Sequence, residues 1–244
     1  MVVIPTYDEA GNVERVVDEV RRCTPEVDVL IVDDASPDGT GAIADAMATR
    51  DPHIRVLHRA SKQGLGVAYG AGFRWGLARD YELFVQMDGD GSHSPRQLPA
   101  LLQALTPGTA LVLGSRWVAG GTVVDWPPHR ELLSRGGNRY ARLALGTHVR
   151  DCTGGYRVYR RGTLEHIDLD AVRSQGYCFQ VDMLRRTLAA GGDVVEVPIT
   201  FVERQHGESK MSLSIVAEAL WRVTWWRLHR RPVGRTARTR VGGA

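Results

Sequence analysis

Leu83-Phe84-Val85-Gln86-Met87-Asp88-Gly89-Asp90 is a mostly apolar run that stops at two aspartates separated only by a glycine. A short apolar segment bounded by turn residues reads as a strand buried on both faces of a sheet. Two like charges this close raise each other's pKa unless a cation sits between them. Gly89 lets the backbone turn tightly enough for both carboxylates to reach one point. The same residues also suit a plain turn, since Asp and Gly are common turn formers. What else ends near them decides between a turn and a metal site.

Working outward, Val2–Ile4, Val27–Val32, Ile54–His58, Glu82–Met87 and Ala110–Gly114 all read as strands, mostly apolar on both faces. Helical stripes lie between them: Val13, Val16, Val17 and Val20, then Ile43, Ala44 and Met47, then Leu98, Leu101, Leu102 and Leu105. The alternation predicts an α/β fold with an open, doubly wound, mostly parallel sheet. In such sheets ligands bind beyond the carboxyl ends of the strands, so the residues after each strand carry the information. They are Pro5-Thr6-Tyr7-Asp8-Glu9, Asp33-Asp34-Ala35-Ser36-Pro37-Asp38-Gly39-Thr40, the opening aspartates, and Gly114-Ser115-Arg116. Acids dominate three of these loops and an arginine marks the fourth.

Hard oxygen ligands favour Mg²⁺ or Mn²⁺ over zinc, and such ions commonly pair one or two carboxylates with substrate phosphates. Asp33 and Asp34 admit two readings. Asp34 can accept from a ribose hydroxyl or a base N–H; the neighbouring Ser36, Asp38 and Thr40 suit capping of the helix that follows, with Asp38 or Thr40 as the cap. Gly64 and Gly66 are read as a tight turn into a close-packed helix. A dinucleotide fingerprint is rejected there, because the segment is not in the first βα turn and lacks the GxGxxG spacing.

After residue 115 the pattern loosens. Gly120-Gly121 and Trp126-Pro127-Pro128 read as loop, followed by a helix over Leu133–Leu145 and an irregular stretch rich in Gly, Tyr and Arg. Phe179–Ala190 reads as helix and Val194–Val197 as strand. Leu213–Leu228 carries an apolar stripe with Trp221, Trp225 and Trp226. The expected organisation is a catalytic domain over 1–212, an amphipathic helix over 213–228, and a basic, disordered tail over 229–244.

The chain's 244 residues suit one large α/β domain with an appendage. Cys23, Cys152 and Cys178 are far apart with no CxxC spacing, which argues against a zinc site or disulfide framework and for a reducing compartment. No segment has the length and apolarity of a membrane-spanning helix, and no basic n-region marks a signal peptide. The net charge of +3 hides an asymmetry: residues 227–244 hold six arginines and no acid, leaving the body with 25 basic residues against 28 acidic. No recognition motif accompanies that basic tail, so nucleic acid is not an expected partner.

Taken together, Val3-Ile4-Pro5-Thr6-Tyr7-Asp8-Glu9, Asp33-Asp34-x-Ser36-x-Asp38-Gly39-Thr40, Gly64-x-Gly66, Met87-Asp88-x-Asp90-x-Ser92-His93 and Gly114-Ser115-Arg116 resemble the inverting family 2 glycosyltransferases. Later motifs resemble the dolichol- or polyprenol-phosphate mannose synthases within that family: His129-Arg130-x5-Gly136-x-Asn138, Asp151-x-Thr153-x-Gly155-Tyr156-Arg157, Gly176-Tyr177-x-Phe179-Gln180 and Arg204-x2-Gly207-x-Ser209-Lys210. The resemblance covers roughly residues 1–215 in order.

It implies a nucleotide-diphospho-sugar transferase fold of the GT-A type, a GDP-mannose donor, Mg²⁺ or Mn²⁺, and a polyprenyl phosphate acceptor. Pro5, Tyr7, Glu9 and Asp34 would line the nucleoside pocket, and Asp88 and Asp90 would hold metal and diphosphate. Arg116 and Arg130 would face the phosphates of donor and acceptor, with Arg116 counted among the catalytic residues. Arg204 and Lys210 would close over the donor from a mobile loop. Two positions depart from the family pattern: Asp8 stands where Asn is common, and Ser92 where Gln is common. The departure at Ser92 puts a third protein ligand to the metal in question.

A phosphate monoester is largely anionic at neutral pH and needs no general base, so His93 is read as structural. A long prenyl tail demands a membrane surface, which the 213–228 helix and its arginines suit as well as a packed core would. The expected protein is a peripheral enzyme on the cytoplasmic face of a membrane, and a membrane-protein partner is a further expectation. Rival readings are a polyprenyl-phosphate glucosyltransferase using UDP-glucose and a non-catalytic nucleotide-binding module.

Overall fold

The computed structural model describes residues 1–172, 174, 176–203, 213–228 and 239–241. β1 (Val2–Thr6), α1 (Val13–Cys23), β2 (Val29–Asp33), α2 (Thr40–Arg50) and β3 (Ile54–His58) form the first half, and α3 (Leu65–Leu77) leads to β4 (Leu83–Gln86). A 3-10 turn at Pro95–Gln97 runs into α4 (Leu98–Gln103) and β5 (Thr109–Ser115). Then come β6 (Thr122–Val124), α5 (Pro128–Leu145), β7 (Arg157–Arg160), α6 (Arg161–Glu165), α7 (Gly176–Ala189), β8 (Asp193–Pro198) and β9 (Thr200–Val202). The described elements end with α8 (Leu213–Leu228) and β10 (Thr239–Val241).

The main sheet runs β10-β8-β5-β7-β4-β1-β2-β3, and β6 with β9 makes a separate parallel pair. All pairings in the main sheet are parallel except those of β7, which lies antiparallel between β4 and β5. The mostly parallel, doubly wound sheet expected from the sequence is therefore the fold, with the expected strands in place to within a residue or two. Both faces are covered, which is why the central strands β1, β2, β4 and β5 are mostly apolar. On one face α1, α2 and α4 bury Val13, Val16, Val17, Val20, Ala44, Met47, Leu98 and Leu101 against Ile4, Ile31 and Val85. On the other, α3, α5 and α7 bury Tyr69, Phe73, Leu145, Phe179 and Leu184 against Val3, Leu30 and Phe84.

α3 lies close to its face because it carries glycines where side chains would collide. A Cβ on Gly72 would run into Val3 Cγ1, and one on Gly66 would sit 2.7 Å from Phe179 and 2.9 Å from the Ser174 carbonyl oxygen. Gly64, at φ +98°, makes the turn into the helix. The reading of Gly64 and Gly66 as turn and close packing is thus the observed one.

Two expectations are corrected. The irregular stretch before residue 160 contains β7; its Arg157 is fully buried, which the charged Arg-Val-Tyr-Arg sequence disguises. α5 starts at Pro128 rather than Leu133, since proline at a first helical position has no N–H to lose. Of the basic tail, residues 239–241 form β10, parallel to β8 at the sheet edge, while residues 229–238 and 242–244 lie outside the described residues.

α8 packs against α5 and α7. Val223 is buried in the core, and the Arg185 guanidinium lies 4.8 Å from the Trp226 ring centre. Trp221, Trp225 and Leu228 are exposed, so the helix has a packed face and an apolar outer one. No helix among the described residues is long and apolar enough to cross a membrane.

Candidate active site

β1 pairs β2 on one side and β4 on the other, so the winding reverses between β1 and β4. A crevice opens beyond the carboxyl ends of the strands at such a reversal. A cleft of about 320 Å³ occupies that place, and its walls include Pro5, Tyr7, Glu9, Asp34, Asp88, Asp90, Ser92, Arg116 and Arg130. Nine of the residues singled out from the sequence therefore meet in one cavity. Arg204 and Lys210 lie outside the described residues.

At the base of the cleft, Asp88 and Asp90 follow β4. Tyr69 donates its hydroxyl to Asp88 Oδ1 at 2.8 Å, and the Asp88 N–H donates to His93 Nδ1 at 3.1 Å. Burial and the Asp88 charge push the Tyr69 phenol well above its ordinary pKa, so it stays a donor. Burial lowers the His93 pKa, against the raising effect of Asp88 and Asp90. His93 stacks on Tyr156 at 5.0 Å, edge-on to Phe201. A neutral ring accepting from a backbone N–H and wedged between aromatics fits the structural part read for it.

Ser92, whose part as a third metal ligand the sequence left in question, is bonded to the neighbouring aspartate. Its N–H donates to Asp90 Oδ1 at 3.0 Å and its hydroxyl donates to the same oxygen, so the serine is spent on shaping the Asp-Gly-Asp turn. No group of three or more His, Cys, Asp or Glu side chains that could hold a metal occurs among the described residues. Two carboxylates two positions apart are an all-oxygen donor set of the kind that holds Mg²⁺ or Mn²⁺ jointly with substrate phosphates.

At the other end of the cleft, Asp34 pairs with Arg59 at 2.5 Å and accepts the Gln63 N–H at 3.4 Å. Lys62, which carried no motif, lies 3.6 Å from the centre of the Tyr7 ring and lines the same wall. Asp33 faces away into the fold, taking hydroxyls from Thr6 at 3.2 Å and Ser36 at 2.5 Å. Asp38 takes the Thr40 N–H at 3.0 Å with one oxygen and the Ala10 N–H at 2.9 Å with the other. Thr40 in turn accepts the Glu9 N–H at 3.0 Å. The pair expected to cap α2 therefore ties the loop after β2 to the loop after β1. Asp8 has φ +59°, a left-handed conformation that Asn and Asp tolerate best among residues with side chains. That accounts for an acid at a position where the family commonly has Asn.

Arg116 reaches the wall of the cleft, but its guanidinium is committed. Nε and Nη2 donate to the two oxygens of Asp151 at 2.8 and 2.7 Å, and Nη2 also donates to Thr153 Oγ1 at 2.9 Å. Both side chains are buried. Burial works against the Asp151 charge, yet Arg116, by charge and hydrogen bonds, holds the carboxyl below its ordinary pKa, with Arg157 helping. Arg116 lines the cleft, as expected of a residue facing substrate phosphates, while a bidentate pair fixes the arginine and the 151–155 loop together. That loop reaches the rim because β7 runs backwards, so the segment before the strand, not the one after it, arrives there. It brings Thr153 and Gly155 to the cleft.

The remaining wall comes from the small sheet. β6 and β9 are parallel, so the residues after each emerge at the same end: Trp126 after β6 and Glu203 after β9. Arg130, in the first turn of α5, pairs its Nη1 with Glu203 and lies over the Trp126 ring at 4.3 Å. Trp126 and Phe201 line the cleft without a motif that pointed to them, and Thr153 and Gln180 come there from motifs that assigned them no role.

Residues 1–168 match the family described as Glycosyl transferase family 2. An undecaprenyl-phosphate mannosyltransferase of Micrococcus luteus is 55% identical over 238 residues, covering 98% of each chain. A polyprenol monophosphomannose synthase of Mycolicibacterium smegmatis is 53% identical, covering 93% of this chain and 86% of its own. Among solved structures, a mannosyltransferase of Pyrobaculum calidifontis in complex with GDP-Man and Mn²⁺ superposes with a TM-score of 0.65 at 17% identity, covering 95% of this chain and 64% of that one.

Proposed function

We propose, from the premise that the chain belongs to glycosyl transferase family 2, that it is a metal-dependent enzyme transferring mannose to a polyprenyl phosphate. The donor is GDP-mannose, and the products are polyprenyl-phosphate mannose with inverted anomeric configuration and GDP. The observation that carries the reading is the meeting of the loops after β1, β2, β4 and β5 in one cleft, with Asp88 and Asp90 at its base. Relatives above half identity act on polyprenyl phosphates by name, and a fold neighbour holds GDP-Man with Mn²⁺.

Pro5, Tyr7, Glu9, Asp34 and Lys62 form the nucleoside end. Asp88 and Asp90 would hold a divalent ion, Mg²⁺ or Mn²⁺, which would supply charge neutralisation at the leaving diphosphate. Tyr69 and Ser92 hold the two carboxylates in position. Arg130 receives the acceptor phosphate, and Arg116 fixes the cleft wall beside it. The acceptor oxygen attacks the anomeric carbon as the bond to the diphosphate breaks. No general base is needed, in keeping with a His93 kept neutral and aimed at backbone. Arg204 and Lys210 keep the donor-side role that the resemblance implies. The acceptor's prenyl chain puts the work at a membrane surface, on its cytoplasmic face.

Calorimetry with GDP-mannose and UDP-glucose, with Mn²⁺ and again after chelation, tests the donor. Binding of GDP-mannose that disappears on chelation is the expected result. Selective binding of UDP-glucose would keep the fold and change the product, and binding of neither would remove the assignment.

A further inference from the structure

Trp117 Nε1, Trp126 Nε1 and Arg130 Nε are buried with no hydrogen-bond partner among the described residues. Buried indole N–H groups ordinarily find an acceptor, and an orphaned donor demands an explanation. These three donors are neighbours. The two indole rings lie 6.4 Å apart, and the Arg130 guanidinium lies on the Trp126 face. Arg135 lies 4.1 Å over Trp117, and Arg116 is 5.5 Å from both rings. Three unmet donors among three guanidinium groups form a setting in which an anion fits and a neutral hydroxyl gains less.

Glu203 already shows what kind of group Arg130 accepts. Its carboxylate meets Arg130 at Nη1, while Nε of the same guanidinium has no hydrogen-bond partner among the described residues. A tetrahedral phosphate can engage both edges of the guanidinium fork, Nε included.

We infer that Trp126 Nε1 and the Nε edge of Arg130 form the head-group site for a phosphate monoester, with Glu203 as an internal carboxylate that holds the site until the phosphate displaces it. This rests on the acceptor reading given above and adds to it an indole donor and a competing acid. Trp117 backs the site with a further N–H and with the ring on which Arg135 stacks. Exchange of one anion for another keeps Arg130 compensated whether or not acceptor is present.

The test is calorimetry on the full chain with citronellyl phosphate, a short soluble prenyl phosphate, and in parallel with inorganic phosphate. Trp126→Phe keeps a ring beneath Arg130 and removes the N–H; it should weaken citronellyl phosphate roughly tenfold, as loss of a hydrogen bond to a charged group does, while GDP-mannose binding holds. Glu203→Gln should tighten citronellyl phosphate severalfold. Parallel changes with inorganic phosphate mean that the head group alone is recognised; changes confined to citronellyl phosphate assign the site to the lipid acceptor. Unchanged affinity in Trp126→Phe, or weaker binding in Glu203→Gln, overturns the inference and leaves the acceptor reading standing. A wild-type chain that binds GDP-mannose but neither phosphate probe overturns the acceptor reading as well.

Discussion

Replacing Asp151 by alanine would remove the carboxylate that Arg116 Nε and Nη2 both hold, leaving the buried guanidinium without its counter-charge. Breaking a buried pair by removing one partner costs about 3–5 kcal/mol, so the urea midpoint should fall by that equivalent; a loss under about 1 kcal/mol, the range of exposed pairs, would mean the pair is not buried in solution. Asp90→Asn acts on chemistry instead. Metal-dependent turnover should drop at least about 10²-fold, the scale of losing a major electrostatic stabiliser, and near-normal turnover would remove the metal assignment. His93 gives a pH prediction with a fixed sign. Its folded pKa lies below the ordinary 6.5, so between those values the unfolded chain binds the extra proton. Stability contributed by neutral His93 is present above about pH 6.5 and lost as pH falls below it; His93→Gln should flatten that slope of Tm against pH, and an unaltered slope would remove the assignment. At this scale the motif residues Asp88, Asp90 and Asp34 were legible because a strand end fixes where they sit. Lys62 and Trp126 were not, because nothing in their local sequence says which wall their loops will reach.

Elements were legible where periodicity and burial agree. The four valines of α1 all face the core, as their spacing requires. β7 failed that test because Arg157 sits at its start, fully buried yet charged. The site it occupies satisfies the guanidinium with the carbonyls of Cys152, Gly154 and Gln180, a solution no local pattern announces. The glycines of α3 are legible only as permission for close approach, and the structure supplies the neighbours. Gly72→Ala should therefore destabilise by about 1–3 kcal/mol, the usual cost of overpacking, despite the better helix propensity of alanine. A rise in Tm would show that Val3 and Val32 can yield.

At the scale of the whole molecule, α5 and α8 pack together while leaving Leu132, Leu133 and Leu143 of one and Trp221, Trp225 and Leu228 of the other exposed. Exposed aromatic and aliphatic side chains with nearby arginines suit a lipid interface. Trp221→Ser with Trp225→Ser, in the full chain, should reduce sedimentation with anionic vesicles and leave GDP-mannose binding intact; unchanged sedimentation would exclude α8 from membrane contact. The backward strand β7 also has a consequence for how the protein is made. β4, which delivers Asp88 and Asp90, has β1 on one side, but its other neighbour is synthesised only when the chain reaches Arg160. Closing so long a loop is entropically costly and slow. A nascent chain halted on the ribosome just short of β7 should thus hold β1, β2 and β3 with an open β4 edge, protease-sensitive around the aspartates, and gain protection only once residues 157–160 have emerged.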